Sequence, residues 1–231
     1  MYSPKHQSIL VIGASGRSGI EIMRYLSKHP SKPEVHAFCR DPDKLCFQGG
    51  HHVCCNTVIK GDARSIPDIE SALSKTHATM VIMSIGNGDD VSKSDIRTAS
   101  AVALVQVLTS KPEFSDVQVV VVSSTGAGTS SIKIGMGVGK MIEYYLRHIL
   151  KDHSGQEAAF VEIKDRTMIV RATALTDSKP TGNIKIFGDT DKSPSMNIDR
   201  ADLAEWIVKQ ICDRPDNVRG RVVNITGVKH C

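Results

Sequence analysis

The sequence predicts an α/β protein of three layers, built on a doubly wound parallel sheet. Short apolar runs alternate with longer segments of helical spacing along the whole chain of 231 residues. One run, Val117–Val122, is almost entirely valine, which is typical of a strand buried on both faces. No internal repeat or linker interrupts this alternation. We therefore expect one domain over residues 1–231, with a small C-terminal cap at about 173–198.

The first strand and helix are joined by a glycine-rich turn. The apolar run Ile9–Ile12 leads into Gly13–Gly19, GASGRSG, and then into apolar residues at helical spacing. In such a unit, Gly13 makes the tight turn, Gly16 lets a ligand approach the backbone, and Gly19 lets the helix pack on the sheet. The helix N-terminus then offers unpaired N–H groups to a pyrophosphate. This arrangement predicts a Rossmann-type dinucleotide site.

The remaining elements of the first half follow from the same patterns. Ser65 is a typical helix cap, and apolar residues follow it at helical spacing. A later Ala/Val-rich segment is apolar on most faces, so we expect it to pack on the sheet or on a partner subunit. The predicted strands are Glu34–Cys39, Val53–Ile59 and Thr79–Met83, and the predicted helices are Ser65–Lys75 and Ser94–Thr109.

The second half continues the alternation up to the last strand. Asp199 is expected to cap a helix that follows it. The segment Ile184–Phe187 is predicted as a short strand outside the core, with Ser195–Ile198 as its partner. The other predicted strands are Thr167–Ala172 and Arg221–Ile225, and the predicted helices are Lys140–Leu150, His153–Ile163 and Arg200–Cys212.

The residues after the second strand indicate whether the nicotinamide cofactor is NAD or NADP. An acidic residue there binds the ribose 2′-hydroxyl of NAD, whereas arginine accommodates the 2′-phosphate of NADP. Arg40 comes first, and Arg17 in the glycine turn could reach the same phosphate. Asp41 favours NAD unless it serves as a turn residue before Pro42. We expect NADP(H), with NAD(H) as the alternative.

Composition excludes several other classes of protein. The net charge is only +4, and no basic run is interleaved with aromatic residues, so we expect no nucleic-acid partner. No segment approaches the roughly 18 apolar residues of a membrane span, which predicts a cytoplasmic protein without a membrane partner. None of the six cysteines has zinc-ligand spacing, so we expect no metal site. Cys39, Cys54 and Cys55 lie in predicted strands, where we expect them to be small core residues.

An ordered series of motifs resembles one family over roughly Ile9–Thr226. The series comprises GASGRSG, CRDPDKL, GDARS, VIMSIG, VVVVSSTGAG, DHSGQE, RATALTD and IDRADLAEWIV. It is similar to the atypical short-chain dehydrogenases/reductases, within the NAD(P)H-binding group that includes biliverdin reductase B (flavin reductase) and NmrA-like proteins. The resemblance implies a Rossmann fold that binds NADP(H) and acts on a small molecule.

The resemblance also implies the roles of particular residues. The adenine lies near Asp62 and Ala63, the ribose near Ser84–Gly86, and the nicotinamide at the ends of strands five and six. Thr125 corresponds to the flavin reductase's active-site serine, whereas Ala174 stands where that enzyme has a histidine. This departure counts against flavin or biliverdin as substrate. The implied cofactor-binding set is Gly13, Ala14, Ser15, Gly16, Arg17, Ser18, Gly19, Arg40, Asp62, Ala63, Ser84, Ile85, Gly86, Ser123, Ala172, Thr173 and Ala174.

Typical members of the family use a Tyr-x-x-x-Lys pair, which this sequence lacks. Tyr144 could form a relay with Lys140 and His148 on one helix face, or that face could be solvated. The hydroxyls of Ser124 and Thr125 could contact a substrate carbonyl, or they could bind backbone groups of the loop. His153, beside Asp152, could act as an acid or simply lie near a helix start.

Three functions are consistent with these residues. The first is an NADPH-dependent reductase of a small carbonyl, quinone or related aromatic substrate, in which hydride transfer depends on positioning. The second is a redox-neutral isomerase or dehydratase on the same scaffold. The third is an NmrA-like, non-catalytic NADP-binding regulator. The sequence leaves open whether the protein is a monomer or a homodimer.

Overall fold

A computed structural model of the chain describes residues 7–45, 54–134 and 137–228. Its strands are β1 (Ser8–Ile12), β2 (Glu34–Cys39), β3 (Thr57–Lys60), β4 (Met80–Met83), β5 (Gln118–Ser124), β6 (Thr167–Ala172), β7 (Ala174–Thr176), β8 (Ile184–Phe187), β9 (Asn197–Asp199) and β10 (Arg221–Gly227). Its α-helices are α1 (Arg17–Lys28), α2 (Ile66–Thr76), α3 (Ile96–Ser110), α4 (Val138–Tyr145), α5 (Arg147–Ala159) and α6 (Arg200–Asp213).

Eight strands form the central sheet, in the order β3-β2-β1-β4-β5-β6-β10-β8. All neighbouring pairs are parallel except β10 and β8, which are antiparallel. The chain reverses its direction across the sheet between β1 and β4, and a ligand crevice is expected at such a point. The predicted doubly wound α/β fold is confirmed.

Helices cover both faces of this sheet. Within β1, Ile9 and Val11 pack on the layer that holds α1 and α6, whereas Leu10 and Ile12 pack on the layer that holds α2 and α3. Both sets of side chains are fully buried, which explains why the strand is an unbroken apolar run. The helix α5 packs on α3.

Several element predictions need correction. The segment Ile184–Phe187 belongs to the central sheet as its edge strand β8, and it does not pair with the residues near 195–198. Those residues form β9, which pairs in parallel with β7 in a separate two-stranded sheet. The predicted helix Lys140–Leu150 is divided at Leu146, which ends α4 and precedes α5. The predicted helix His153–Ile163 is the second part of α5 followed by a 3₁₀ segment.

The third strand is shorter than predicted. It begins at Thr57, and Val53 lies outside the described residues, as do Cys46 and Cys231. Cys39 is buried in β2, as expected for a core residue. Cys54 is exposed before β3, so its prediction as a core strand residue is wrong. Cys55 also precedes the strand, but it is half-buried and packs against the core. Among the described residues, no helix is long and apolar enough to cross a bilayer.

The cap predicted from the sequence corresponds to β7, β9 and the turns between β6 and α6. The backbone N–H of Thr173 donates to the carbonyl of Ile225 at 3.1 Å, which continues the edge of the sheet into this segment. Asp199 then ends β9 and caps α6, because its carboxylate accepts from the backbone N–H of Ala201 at 2.9 Å. The N-cap of α6 at Asp199 is therefore the helix cap that the sequence predicted.

We expect Asp199→Ala to lower the free energy of unfolding by about 1 kcal/mol, because the first turn of α6 loses its side-chain cap. Urea denaturation measures this change. The matched control is Lys209→Ala, which removes an exposed ion pair with Glu205 on the same helix and should cost less than about 0.5 kcal/mol. Equal losses in the two variants would contradict the assigned role of the cap.

Candidate functional site

The turn between β1 and α1 is packed so tightly that a side chain does not fit at Gly13 or Gly19. Gly13 has a φ of +86°, and a Cβ on it would collide with the backbone carbonyl of Ser84 at the end of β4. A Cβ on Gly19 would collide with the carbonyl of Gly13. At Gly16 a Cβ would lie 3.3 Å from that same carbonyl. Gly13 and Gly19 are thus required by the close approach of the turn to β4 and α1, whereas a side chain at Gly16 needs only a small adjustment.

Backbone hydrogen bonds fix the shape of this turn. The N–H groups of Gly13 and Ala14 donate to the carbonyl of Phe38, at 3.0 and 3.3 Å, and tie the turn to the end of β2. The first turn of α1 has neither a side-chain cap at Gly16 nor an acidic residue. Its N-terminal amides and the positive end of the helix dipole therefore face the space in front of the turn. Such a helix start is suited to an anionic group.

A cavity of about 510 Å³ opens in front of the turn and extends along the carboxyl ends of β1, β2 and β4. The predicted cofactor-binding residues that line it are Gly13, Ser15, Gly16, Arg40, Asp62, Ala63, Ser84, Ile85 and Gly86. Further lining residues were missed by the sequence analysis: Phe38, Cys39, Asp41, Lys44, Gly61, Gly88, Ile96 and Ser100. We call this cavity the cleft.

Arg17 does not line the cleft as predicted. Its guanidinium pairs with Asp177 at 3.0 Å and with Asp89. Burial is the largest single influence on the pKa of Arg17 and lowers it, but the hydrogen bonds and charges of the two aspartates together raise that pKa above its usual value. Asp177 also pairs with Arg200 at 2.6 Å. Two carboxylates therefore hold Arg17 outside the lining of the cleft, and its binding to one phosphate together with Arg40 stays a prediction.

The end of the cleft next to β2 and β3 is rich in charged groups. Arg40 is exposed directly after β2, and Lys44 follows on a short 3₁₀ turn, 3.3 Å from the carboxylate of Asp41. Asp62 is bound by Arg64, which is the largest cause of the lowering of its pKa to about 2. Arg40 also contributes to that lowering. Asp62 is consequently ionised at physiological pH, while Arg40 and Lys44 supply two cations to the cleft.

The hydroxyl residues at the end of β5 have different surroundings. The Ser123 hydroxyl donates to Glu157 at 2.6 Å and is buried, so it turns away from the cleft toward α5. The Ser124 hydroxyl donates to the carbonyl of Thr125 at 3.1 Å. That of Thr125 makes only a long contact, at 3.4 Å, with the carbonyl of Arg171. None of these three residues lines the cleft.

The predicted residues at the end of β6 lie next to β5 and β10. The carbonyl of Ala172 accepts from the backbone N–H of Thr125 at 2.9 Å. The hydroxyls of Thr173 and Thr226 form a hydrogen bond with each other at 2.9 Å. Ala174 is exposed at the start of β7. In α1, Ser18 is half-buried and Gly19 is buried. These positions surround the cleft without lining it.

Two predicted catalytic residues lie away from the cleft. Tyr144 is 72% exposed on α4, where its ring stacks against the guanidinium of Arg147. Because the helix breaks at Leu146, Lys140, Tyr144 and His148 do not share a continuous face, and the proposed relay is not formed. His153 is buried on α5, and its Nδ1 lies 3.2 Å from the side-chain oxygen of Gln156.

Burial lowers the pKa of His153 to about 3, with the nearby charge of Arg97 as the second cause. The imidazole is therefore neutral at physiological pH and carries no proton to act as a cationic acid. Its neighbour Asp152 accepts from the backbone N–H groups of Arg97 and Thr98, at 3.1 and 2.9 Å. Asp152 thus caps α3 from outside that helix.

A buried charged network beside β5 was missed by the sequence analysis. Arg171 binds Glu157 through two of its nitrogens, at 3.0 and 2.7 Å, and binds Asp189 at 2.9 Å through the third. Asp189 also accepts from Asn224 at 2.7 Å. An arginine within the apolar strand TMIVRA was the available signal. The network joins β6, α5, β10 and the loop after β8.

Comparison with known proteins agrees with this geometry. Residues 13–214 match the model of a family described as NAD(P)H-binding. The chain belongs to the NAD(P)H-binding family. The NAD(P)H-binding family that the resemblance implies is thereby confirmed.

One curated relative is the decarboxylating sterol-4-alpha-carboxylate 3-dehydrogenase of Saccharomyces cerevisiae, which is 35% identical over 80 residues. The match covers 34% of this chain and only 23% of that enzyme.

Solved structures share the fold at low sequence identity. A short-chain dehydrogenase/reductase from Veillonella parvula, in complex with NADP, has a TM-score of 0.71 and 14% identity, and the match covers 96% of this chain and 95% of that one. The anaerobilin reductase ChuY from Escherichia coli O157:H7 has a TM-score of 0.66 and 16% identity, with 96% and 99% covered.

The lowered pKa of His153 predicts how the free energy of unfolding changes as the pH falls. Because the folded protein holds this imidazole neutral, its contribution to stability is present above pH 6.5 and is lost as the pH falls toward about 3. We expect His153→Asn to lose less free energy of unfolding between pH 7 and pH 4.5 than the wild-type protein. His148→Asn, a half-buried histidine on the same helix, serves as the control in urea denaturation. Equal losses in the wild type and His153→Asn would contradict the assignment.

Proposed function

We propose that this protein is an NADPH-dependent reductase of a small carbonyl, quinone or related aromatic substrate. The observation that supports it most is the glycine turn, whose packing excludes a side chain at Gly13 and at Gly19 and leaves the start of α1 open to the cleft. A turn constrained in this way, with the amides of an uncapped helix before it, is suited to a pyrophosphate.

The residues of the cleft are compatible with a whole dinucleotide. Gly13, Gly16 and the first amides of α1 would hold the pyrophosphate, and Asp62 and Ala63 would lie beside the adenine. Ser84, Ile85 and Gly86 would contact the ribose. The remaining predicted contacts, from Ser123 and the segment 172–174, would belong to the nicotinamide end. There the engaged hydroxyls of Ser123 and Thr173 leave mainly backbone groups to bind a ligand.

Arg40 and Lys44 favour NADP(H) over NAD(H) in this proposal. Both line the cleft directly after β2, where the 2′-phosphate of the adenosine ribose would lie. Two cations are matched to a phosphate dianion, and charge-assisted hydrogen bonds to phosphate are strong. Asp41 already pairs with Lys44 and ends β2 ahead of Pro42, which is consistent with its role as a turn residue.

When bound, the reduced nicotinamide supplies a hydride to the substrate. The contribution of the chain is to orient both partners and to exclude water, because the candidate acids Tyr144 and His153 do not line the cleft. Of the candidate hydroxyls, Thr125 is the least engaged, with one long contact at 3.4 Å. We propose Ser124 and Thr125 as substrate contacts and water as the source of the proton.

A second candidate is an NmrA-like protein that binds NADP without catalysis. It is favoured by two predicted catalytic residues, since Tyr144 is exposed and His153 is neutral. Incubation of the protein with NADPH and a panel of quinones, aldehydes and ketones separates the two. Oxidation of NADPH at 340 nm supports the reductase, and tight binding without oxidation by any acceptor supports the regulator.

We expect Arg40→Ala to weaken NADP⁺ binding at least about 10-fold, a loss of about 1.4 kcal/mol, while NAD⁺ binding changes less than about 3-fold. The reason is that Arg40 would contact only the group that the two nucleotides do not share. Calorimetric titration of both nucleotides measures the two dissociation constants. Lys60→Ala, which removes an exposed cation from the neighbouring strand β3, should leave both unchanged. A parallel loss for both nucleotides in Arg40→Ala would contradict the assignment of Arg40 to the 2′-phosphate.

A further inference from the structure

The first turn of α3 contains a buried arginine that is only partly paired. The side chain of Arg97 is 9% exposed, and its Nη1 lies 3.3 Å from the carboxylate of Asp152. Within the described part of the chain, this is the one acceptor that the guanidinium has. Its Nε is fully buried without a hydrogen-bond partner. A buried charged group with an unsatisfied N–H is costly, so its retention calls for an explanation.

A second buried arginine, Arg171 on β6, has hydrogen-bond partners for all the nitrogens of its guanidinium. Arg171 uses the edge formed by Nε and Nη2 to bind both oxygens of Glu157, at 3.0 and 2.7 Å. Its Nη1 binds Asp189. Arg97 binds its aspartate through Nη1 alone, so the equivalent edge of Nε and Nη2 is open. That edge is the one whose two parallel N–H groups match a carboxylate.

Asp152 cannot fully compensate the charge of Arg97. Its two oxygens also accept from the backbone N–H groups of Arg97 and Thr98 and from the Thr98 hydroxyl. Asp152 therefore serves as the cap of α3, whose own residue Asp95 makes no side-chain cap. One negative charge is shared between a guanidinium and the positive end of a 15-residue helix. The region is suited to a second anionic group.

The Nη2 end of this unpaired edge of Arg97 lies behind Gly86, which is part of the wall of the cleft. Gly86 lines the cleft, and a Cβ added to it would lie 3.4 Å from Nη2 of Arg97. On α3, Ile96 and Ser100 line the cleft on either side of Arg97. The Ser100 hydroxyl is fully buried without a partner. Two unsatisfied donors, Nε of Arg97 and the Ser100 hydroxyl, thus lie within one turn of α3.

We propose that Arg97 and Ser100 bind a carboxylate on the substrate, with the Nε and Nη2 edge of Arg97 as the bidentate contact. This inference rests on the proposed reductase function and narrows its substrates to carboxylate-bearing carbonyl or quinone compounds. The phosphates of the cofactor have other partners in that proposal, namely the glycine turn and the pair Arg40 and Lys44. The anion at Arg97 is therefore assigned to the second ligand.

The experiment compares acids with their methyl esters, which share the same carbonyl group. We use 4-formylbenzoate, 3-formylbenzoate and phenylglyoxylate, each with its ester, and titrate them by calorimetry into protein saturated with NADP⁺. We expect at least one acid to bind about 10-fold more tightly than its ester. Arg97→Lys keeps a charge for Asp152 but lacks the bidentate edge, and it should reduce that ratio to less than about 3-fold. Arg147→Met, on the exposed surface of α4 and α5, should preserve the ratio.

Each outcome bears on one of the two proposals. Acids that bind no more tightly than their esters, or a ratio that Arg97→Lys retains, would overturn the carboxylate site. The same holds if Arg97→Lys weakens NADP⁺ 10-fold and leaves the ratio unchanged, since the anion would then be a cofactor phosphate. Failure of wild-type protein to bind NADP⁺ at all would refute the proposed function instead. The acid and ester titrations, repeated on cofactor-free protein, would still test Arg97.

Discussion

The architecture of the site depends on one steric constraint, the contact between the β1–α1 turn and the end of β4. Gly13 lies so close to the carbonyl of Ser84 that no side chain fits, and Gly19 lies equally close to Gly13. The two N–H groups that donate to Phe38 add the end of β2 to the same contact. Three strand ends are thereby fixed around the start of α1. The cleft exists because this turn is compact and because the helix that follows it has no capping side chain.

Charge is distributed unevenly around that turn. Arg17 is bound by Asp89 and Asp177, so the glycine turn is joined to the loop after β4 and to the segment that follows β7. Arg40 and Lys44 lie at the opposite end of the cleft, and Arg97 lies behind Gly86 with an open edge. In contrast, Arg171 is fully paired with Glu157 and Asp189 and acts as a structural connection between β6, α5 and the loop after β8. The two buried arginines, Arg97 and Arg171, thus differ in how completely their nitrogens are paired.

The sequence predicted what depends on local spacing and missed what depends on distant partners. The glycine turn, the buried run of β5 and the cap at Asp199 each follow from a few neighbouring residues, and all three are observed. The edge position of β8 could not be predicted, since a four-residue strand has no pattern that selects β10 as its neighbour. Arg17 was misplaced because its partners are 72 and 160 residues away. Lys44 carried a local signal, a second cation shortly after Arg40, which could have been recognised.

The most direct test of the account is the affinity of NADP⁺ for Gly16→Val, measured by calorimetry. Gly16 has a φ of −75° and a ψ of 156°, which valine can adopt, so the backbone need not change. The added side chain would cover the N-terminal amides of α1, and we expect at least about a 100-fold loss of affinity, or about 2.7 kcal/mol. Thermal denaturation verifies that the variant is folded. An unchanged dissociation constant in a folded Gly16→Val protein would contradict the claim that this turn holds the dinucleotide.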